Sequence, residues 1–271
     1  NYYSLHLGAN YSFETLNRNY TRGGVLSLSP AGYSLSSSIS SDSREKIIAG
    51  IFGSISHDKL ENVYWETGFD IEWKPNSQIN FSIGPQLSIT NDNNQWVGNF
   101  EDPTAVRTYN TRYVFGRIEQ KTLSANIRLS WTFTPTLSLQ LFMQPLLAVG
   151  KYNNFNELNA PRTKDYTIYG TNGSTINYNK EDDSYEVDPD GAGSAEKFTF
   201  GNPNFNFKSL RGNAVLRWEV MPGSVFYFVW SHEQADYANA GDFQLKRDFK
   251  DLIKADGNDV FMVKFSYWFD I

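Results

Sequence analysis

Apolar and polar side chains alternate one by one over long stretches of this chain. Across 123–133, Leu123, Ala125, Ile127, Leu129, Trp131 and Phe133 interleave with Ser124, Asn126, Arg128, Ser130 and Thr132. Across 79–89, Ile79, Phe81, Ile83, Pro85, Leu87 and Ile89 interleave with Asn80, Ser82, Gly84, Gln86 and Ser88. Val63, Trp65, Phe69, Ile71 and Trp73 stand in the same relation to Glu66, Asp70, Glu72 and Lys74. Successive side chains of a strand point to opposite faces, so this period of two gives each segment an apolar and a polar face. The segments 137–149, 209–220 and 225–231 read the same way. The chain ends on Phe261, Val263, Phe265, Tyr267, Phe269 and Ile271 on one face, with Lys264, Ser266 and Asp270 on the other. Such segments suit tilted strands that cross a bilayer, which takes roughly 9–11 residues.

Connections sort into two kinds. Lys74-Pro75-Asn76-Ser77, Thr134-Pro135-Thr136 and Met221-Pro222-Gly223-Ser224 are tight turns, with Pro and Gly supplying the backbone angles. The connections 15–30, 91–106, 151–203 and 237–257 are longer and polar. Short turns at one end and long loops at the other are the asymmetry of outer-membrane barrels, with the loops outside and the turns periplasmic. The pattern predicts about ten strands, near 2–14, 31–42, 45–56, 62–74, 77–90, 107–133, 136–150, 204–220, 223–236 and 258–270. The sixth is too long for the membrane alone and is expected to project outside as a hairpin arm. The fold class that follows is all-β: a transmembrane antiparallel outer-membrane β-barrel over 1–271, with 151–203 as a long extracellular loop and a periplasmic C-terminus. A soluble β-sandwich is the competing fold, but its strands are usually shorter, at about 5–6 residues.

Composition agrees. Aromatic residues make up 16% of the chain, with 20 Phe, 16 Tyr and 7 Trp. Trp65, Trp73, Trp131, Trp218, Trp230 and Trp268 stand near segment ends or on the apolar face, where interfacial girdles form. No apolar run is long enough for a membrane-spanning helix. The mean hydropathy of −0.49 is compatible with a barrel, because only alternate residues need be apolar. Cysteine is absent, so disulfides and thiolate metal sites are excluded. A net charge of −6 argues against nucleic acid as a partner. Asn1 opens directly on strand-like sequence without a signal peptide, so the chain is expected to be a stretch of a longer secreted product.

Several strings carry a resemblance: Thr111-Arg112-Tyr113-Val114-Phe115-Gly116-Arg117, Trp131-Thr132-Phe133-Thr134-Pro135-Thr136-Leu137, Ser209-Leu210-Arg211-Gly212-Asn213-Ala214-Val215-Leu216-Arg217-Trp218-Glu219, and Pro222-Gly223-Ser224 followed by Phe228-Val229-Trp230-Ser231. Together they resemble the C-terminal barrel of an uncharacterised Bacteroidota family whose members often carry a carbohydrate-binding family-nine-like domain ahead of it. The resemblance implies a barrel larger than ten strands and a link to glycan recognition. It supplies no catalytic residue.

Candidate chemistry is sparse. His57-Asp58 and His232-Glu233 pair a potential general base with a carboxylate at outer strand ends, without a visible nucleophile. The acidic run Glu181–Gly191 has hard oxygen ligands but not the ordered spacing of a calcium loop, and reads as a solvated loop. No metal site or cofactor is expected. The charges that call for explanation are Glu66, Asp70, Glu72, Lys74, Arg128, Arg211, Arg217, Glu219 and Lys264, all on polar strand faces. In a barrel they face the lumen, as a solute-selective lining or as a salt-bridge network that rigidifies a closed barrel. Phe261, Val263, Phe265, Tyr267 and Phe269 of the last strand face lipid. The expected partners are outer-membrane lipid, the barrel assembly machinery, and other outer-membrane proteins or glycans. The expected role is a membrane anchor or subunit of a larger outer-membrane assembly. A channel for small polar solutes such as saccharides, served by Tyr166, Tyr169, Tyr178 and Tyr185 of the outer loops, is the alternative. An outer-rim hydrolase is the third.

Overall fold

The computed structural model describes residues 2–268. Strand β1 (Ser4–Ser12) leads into a small hairpin, β2 (Thr15–Asn17) and β3 (Ser27–Ser29). A meander follows: β4 (Gly32–Ser40), β5 (Ile47–Asp58), β6 (Val63–Asn76), β7 (Ile79–Glu101), β8 (Thr111–Thr134) and β9 (Leu137–Leu158). Four short strands, β10 (Tyr166–Ile168), β11 (Thr175–Asn179), β12 (Ser184–Asp188) and β13 (Phe198–Gly201), fill the connection to β14 (Phe205–Met221). The chain closes with β15 (Ser224–Asp236), helix α1 (Leu245–Lys254) and β16 (Gly257–Ser266).

The protein is all-β with one α-helix among the described residues. Its main sheet is ordered β1-β4-β5-β6-β7-β8-β9-β14-β15-β16, with β10 added on β9. Its neighbouring strands are antiparallel, and β1 and β16 form its two edges. Among the described residues these edges do not pair with one another.

Register turns the sequence alternation into two surfaces. Ile47, Trp73, Phe81, Leu129, Leu141, Ala214, Trp230 and Phe261 lie directly opposite one another, strand to strand, in one row. Trp131, Leu139, Leu216, Phe228 and Val263 form a second row on the same face. The opposite face carries Glu72, Ser82, Arg128, Phe142, Asn213 and Ser231 in register. A slip of one residue in any strand would exchange the two faces of that strand.

The apolar rows are not covered by protein. Leu7 and Phe261 are each 76% exposed, and Ile51, Ile55, Phe69 and Trp73 are exposed as well. The buried apolar core lies elsewhere. β7, β8 and β9 run on past their neighbours and, with β10–β13, build a packed head on the long-loop side. Val114, Phe155, Tyr169, Val187 and Phe200 form its centre, and Phe100 stacks on Phe198 with ring centroids 4.4 Å apart. Tyr113, Phe115 and Leu158 form a second cluster against Tyr20, Trp96 and Tyr166.

Two expected loops are therefore largely ordered strand. The stretch 91–106 continues β7 to Glu101, because Asn and Asp side chains satisfy the backbone groups that its irregularities release. The register shifts between Asp92 and Gln95, where the Asn94 N–H donates to Asp92 and the Asn94 amide donates to Asn156. Asn93 accordingly pairs with Asn62 and with the Leu60 carbonyl. β9 is bulged at the same level, with Asn154 at φ 48° and the Asn156 amide donating to the Asn154 and Asn93 carbonyls. Such bulges redirect strands. Here they mark where the sheet becomes the head. Within 151–203, β9 continues to Leu158 and β11, β12 and β13 form their own antiparallel sheet.

An ion-pair network ties the head together. Arg112 Nε donates to Asp102, and Nη1 donates to both Glu157 oxygens at 2.7 Å. The Tyr169 hydroxyl donates to Glu157 at 3.1 Å. Burial pushes the Tyr169 phenol well up, and the neighbouring Glu157 charge adds to this. At Asp102 burial acts upward, but the hydrogen bonds from Thr104 and Arg112 hold the carboxyl below its usual range. Removing one partner of a buried pair costs about 3–5 kcal/mol. Arg112→Met should destabilise the head by that order, read as faster amide exchange in β12 and β13 with β5 and β6 unchanged. Because the Asp102 carboxyl is depressed, its contribution is present above the ordinary carboxylate range and lost as pH falls through the depressed value. Wild-type exchange in β12 and β13 should accelerate only in that acidic window.

Candidate functional site

The charges foreseen from sequence share one face. Register aligns Glu66 with Ser54 and Ser88, Glu72 with Ser82, Arg128 with Phe142, Arg211 with Gln144 and Glu233, and Arg217 and Lys264 with Tyr227. Asp70 occupies the same face over Gly84, where an added Cβ would lie 2.3 Å from the carboxylate. Phe261, Val263 and Phe265 belong to the opposite, apolar face and are exposed. Tyr267 follows the end of β16, and Phe269 lies outside the described residues.

The polar face is electrically divided. Glu66, Asp70 and Glu72 stand on β6, whereas Arg128 is on β8, Arg211 and Arg217 on β14, and Lys264 on β16. Ion pairs among these groups are local. Lys74 meets Glu72 at 3.0 Å, and Arg217 meets Glu219 at 2.7 Å, each two residues along one strand. Arg128 stacks over Phe142, 5.0 Å from the ring centre, and Lys264 lies 5.9 Å from that of Tyr227. Among the described residues no ion pair joins β6 to the basic strands across the face. The arrangement sets a net negative band on β6, partly offset by Lys74, beside a broader net positive one, partly offset by Glu219 and Glu233.

At the loop end of this face, under the β2–β3 hairpin, sits a cavity of about 450 Å³. Tyr20, Ser34, Ser56, Asp58, Tyr64 and Asp92 contribute to its wall. Asp58 is committed to the β5–β6 turn, accepting from the Leu60 N–H at 2.8 Å and from the backbone and amide of Asn62. Asp92 accepts from the Asn94 N–H at 2.8 Å. Burial raises its carboxyl above the usual range, the Asn94 bond opposes this, and the Asp58 charge adds to the rise.

Neither histidine pair forms as sequence order suggested. His57 and Asp58 are neighbours on a strand and point to opposite faces; the His57 ring tilts against Tyr33, 5.8 Å between centres. His232 pairs across the sheet with Asp259 at 2.9 Å, not with Glu233, which alternation sends to the polar face. Its other ring nitrogen faces Gln234 Oε1 at 3.1 Å, while Gln234 Nε2 donates to the Leu252 carbonyl of α1. Trp230 Nε1 also donates to Asp259. His232 is thus part of the seat of a helix. The Asp259 partnership depends on the β15–β16 register and has no local sequence signal.

Two further expectations change. Tyr169 and Tyr166 are head-packing residues, whereas Tyr178 is exposed. The acidic run contains strand β12, and its carboxylates shape turns: Asp183 accepts from Tyr178 and Asn202, Asp188 from the Gly191 N–H, and Asp190 from the Ala195 N–H. Among the described residues no cluster of His, Asp and Glu has metal-binding geometry. No helix is long and apolar enough to cross a membrane, which says nothing about strands.

A group whose folded pKa is raised lends stability below its ordinary range and loses it as pH rises through the raised value. For Asp92 this predicts a wild-type melting temperature that declines from mildly acidic toward neutral pH. Asp92→Asn should remove that part of the decline and leave the protein at least as stable at neutral pH, as thermal melts at both pH values would show.

The chain belongs to a family defined by a domain of unknown function, DUF5916, whose model matches residues 4–271. No curated protein matches it.

Proposed function

We propose that the main sheet is the wall of an outer-membrane β-barrel, and that it anchors the loop-side head at the membrane. One observation carries this reading. Most exposed apolar side chains of the strands keep to one face across the sheet, with Val260 and Met262 of the edge strand β16 on the other, while the clustered aromatic core lies in the head. Soluble monomers rarely expose contiguous apolar patches beyond a few hundred Å². Lipid removes this cost, and closed strands satisfy the backbone without water. Trp65 and Trp73 lie on the same face of β6, eight residues apart. That separation is about 26 Å along a strand, close to the ~25 Å apolar band of such barrels.

Closure fits the topology. β1 runs toward the loop end and β16 away from it, so the two open edges are antiparallel and can join directly or through an even number of additional strands. A barrel also abolishes the exposed edges, which would otherwise recruit foreign strands. On this reading the chain serves as anchor or subunit of a larger outer-membrane assembly with a periplasmic C-terminus. The family resemblance adds a link to glycan recognition through a domain ahead of the barrel.

The native absence of cysteine makes the test direct. Single cysteines at Ile51, Ile55 and Phe265 should resist a membrane-impermeant maleimide in intact outer membranes and react after detergent extraction. A cysteine at Tyr178 in the head should react from outside at once. Equal aqueous labelling at Ile51, Ile55 and Phe265 before and after extraction would exclude the embedded sheet.

A second reading, passage of small polar solutes along the polar face, is favoured by the separated bands of net charge. If the lumen is open, Arg128→Gln with Arg211→Gln should shift the reversal potential toward cation preference in planar bilayers. The absence of conductance in the wild type would leave the anchor role alone.

A further inference from the structure

Among the described residues, helix α1 is the element that packs on the apolar face of the sheet. Asn206 and Gln234, which hold it, share a strand face with Lys208 and Leu210 and with His232 and Trp230, two residues apart along each strand, and register makes this the apolar face. The Asn206 amide donates to the Asp248 carboxylate at 3.3 Å, and Gln234 donates to the Leu252 carbonyl at 2.8 Å. Leu252 and Asp248 are buried against the sheet, and Arg247 bridges Asp248 and Asp242.

The outer surface of the helix has two adjacent stripes. Leu245, Phe249 and Ile253 recur every four residues and remain 50–55% exposed. Lys246, Lys250 and Lys254 recur one position later, about 100° further round the helix. These lysines are exposed, and none forms an ion pair among the described residues. Of the nearby carboxylates, Asp248 and Asp242 pair with Arg247 and Asp251 accepts from the Asn239 amide, while Asp256 stands past the helix end; none of them forms an ion pair with these lysines among the described residues. An apolar stripe beside an uncompensated row of lysines is the pattern of a helix lying in a membrane interface.

We infer that α1 lies in the plane of the loop-side membrane surface, inserting Leu245, Phe249 and Ile253 at the headgroup boundary and binding phosphate-bearing lipid headgroups through Lys246, Lys250 and Lys254. The inference rests on the embedded-sheet reading. Two features select lipid as the occupant. The helix continues the apolar face just beyond Trp230, and its free charge is positive on a chain whose net charge is −6. Basic residues close to an anionic leaflet gain electrostatic attraction that falls off within a Debye length.

The experiment uses the full chain in vesicles, with bimane attached to Phe249→Cys or, separately, to Phe265→Cys. The vesicles are brominated phosphatidylcholine, alone or mixed with an equal part of phosphatidylglycerol. The Phe265→Cys probe should be quenched in both, reporting the embedded sheet. The Phe249→Cys probe should be quenched more strongly with phosphatidylglycerol, and K246Q/K250Q/K254Q should return it to the phosphatidylcholine level. The corresponding triple Arg variant should keep the full response, separating charge from folding. Quenching at Phe265→Cys without quenching at Phe249→Cys, or without dependence on the anionic lipid, overturns the inference and leaves the sheet embedded. Protection of Phe249→Cys from aqueous reagents without lipid quenching would mean a protein partner and also overturns it. A Phe265→Cys probe that is not quenched defeats the embedded-sheet reading itself.

Discussion

Everything in this structure depends on strand register acting on a period-two sequence. Each strand alone has two unlike faces. Only the register stacks Trp73 beside Phe81, Leu129 and Leu141, and thereby gathers isolated apolar side chains into a continuous surface. Burying one such side chain is worth about 1.5–3 kcal/mol. A surface of this extent left in water would dominate the energetics of so open a sheet. Among the described residues only α1 lies over it, and in the anchor reading proposed above lipid is the covering layer. On the proposed membrane reading, the same register also supplies the polar face that would line the interior.

The head obeys the opposite rule. Above the paired bulges of β7 and β9, aromatic side chains turn inward, the core closes, and charges are neutralised in buried pairs such as Arg112 with Asp102 and Glu157. Below that level apolar residues turn outward and charges lie on an open polar face. The Asn91-Asp92-Asn93-Asn94 string sits at the change-over. Short amides there serve as substitute partners for backbone groups that an irregular ladder leaves unpaired. A polar cluster that resembles a loop is the means by which long strands cross from one environment to the other.

This explains what the sequence disclosed and what it concealed. Alternation reports strands wherever one face is apolar, so the ten long strands and the tight turns at Pro135 and Pro222 were legible, and the turn expected around Pro75 falls just after it, at Ser77-Gln78. Alternation fails where a strand is buried on both sides or bulged, and so the outer halves of β7 and β9 read as loop. Helix α1 was concealed by length and composition: its ten residues carry six charges and four apolar positions inside a polar connection. The charged polar face was legible because alternation alone assigns it. The partners of His232 and Arg112 were not, since Asp259 and Glu157 are brought to them by register across strands far apart in sequence.

Three independent structures converge at one level on the loop side. The bulges fix the angle of the head, the cavity holds a carboxylate shifted by burial, and α1 presents free lysines beside exposed leucine, phenylalanine and isoleucine. Among the described residues the opposite end carries short turns such as Pro222-Gly223, where Gly223 supplies the φ of 79° that the backbone needs. Sequence-specific side chains are thus concentrated at one rim, and the sheet below supplies position and rigidity. A scaffold with generic walls and one elaborated rim acts through that rim. Its selectivity, whether for a solute, a glycan-bearing partner or the leaflet itself, must be sought among the residues that the bulges and the helix seat there.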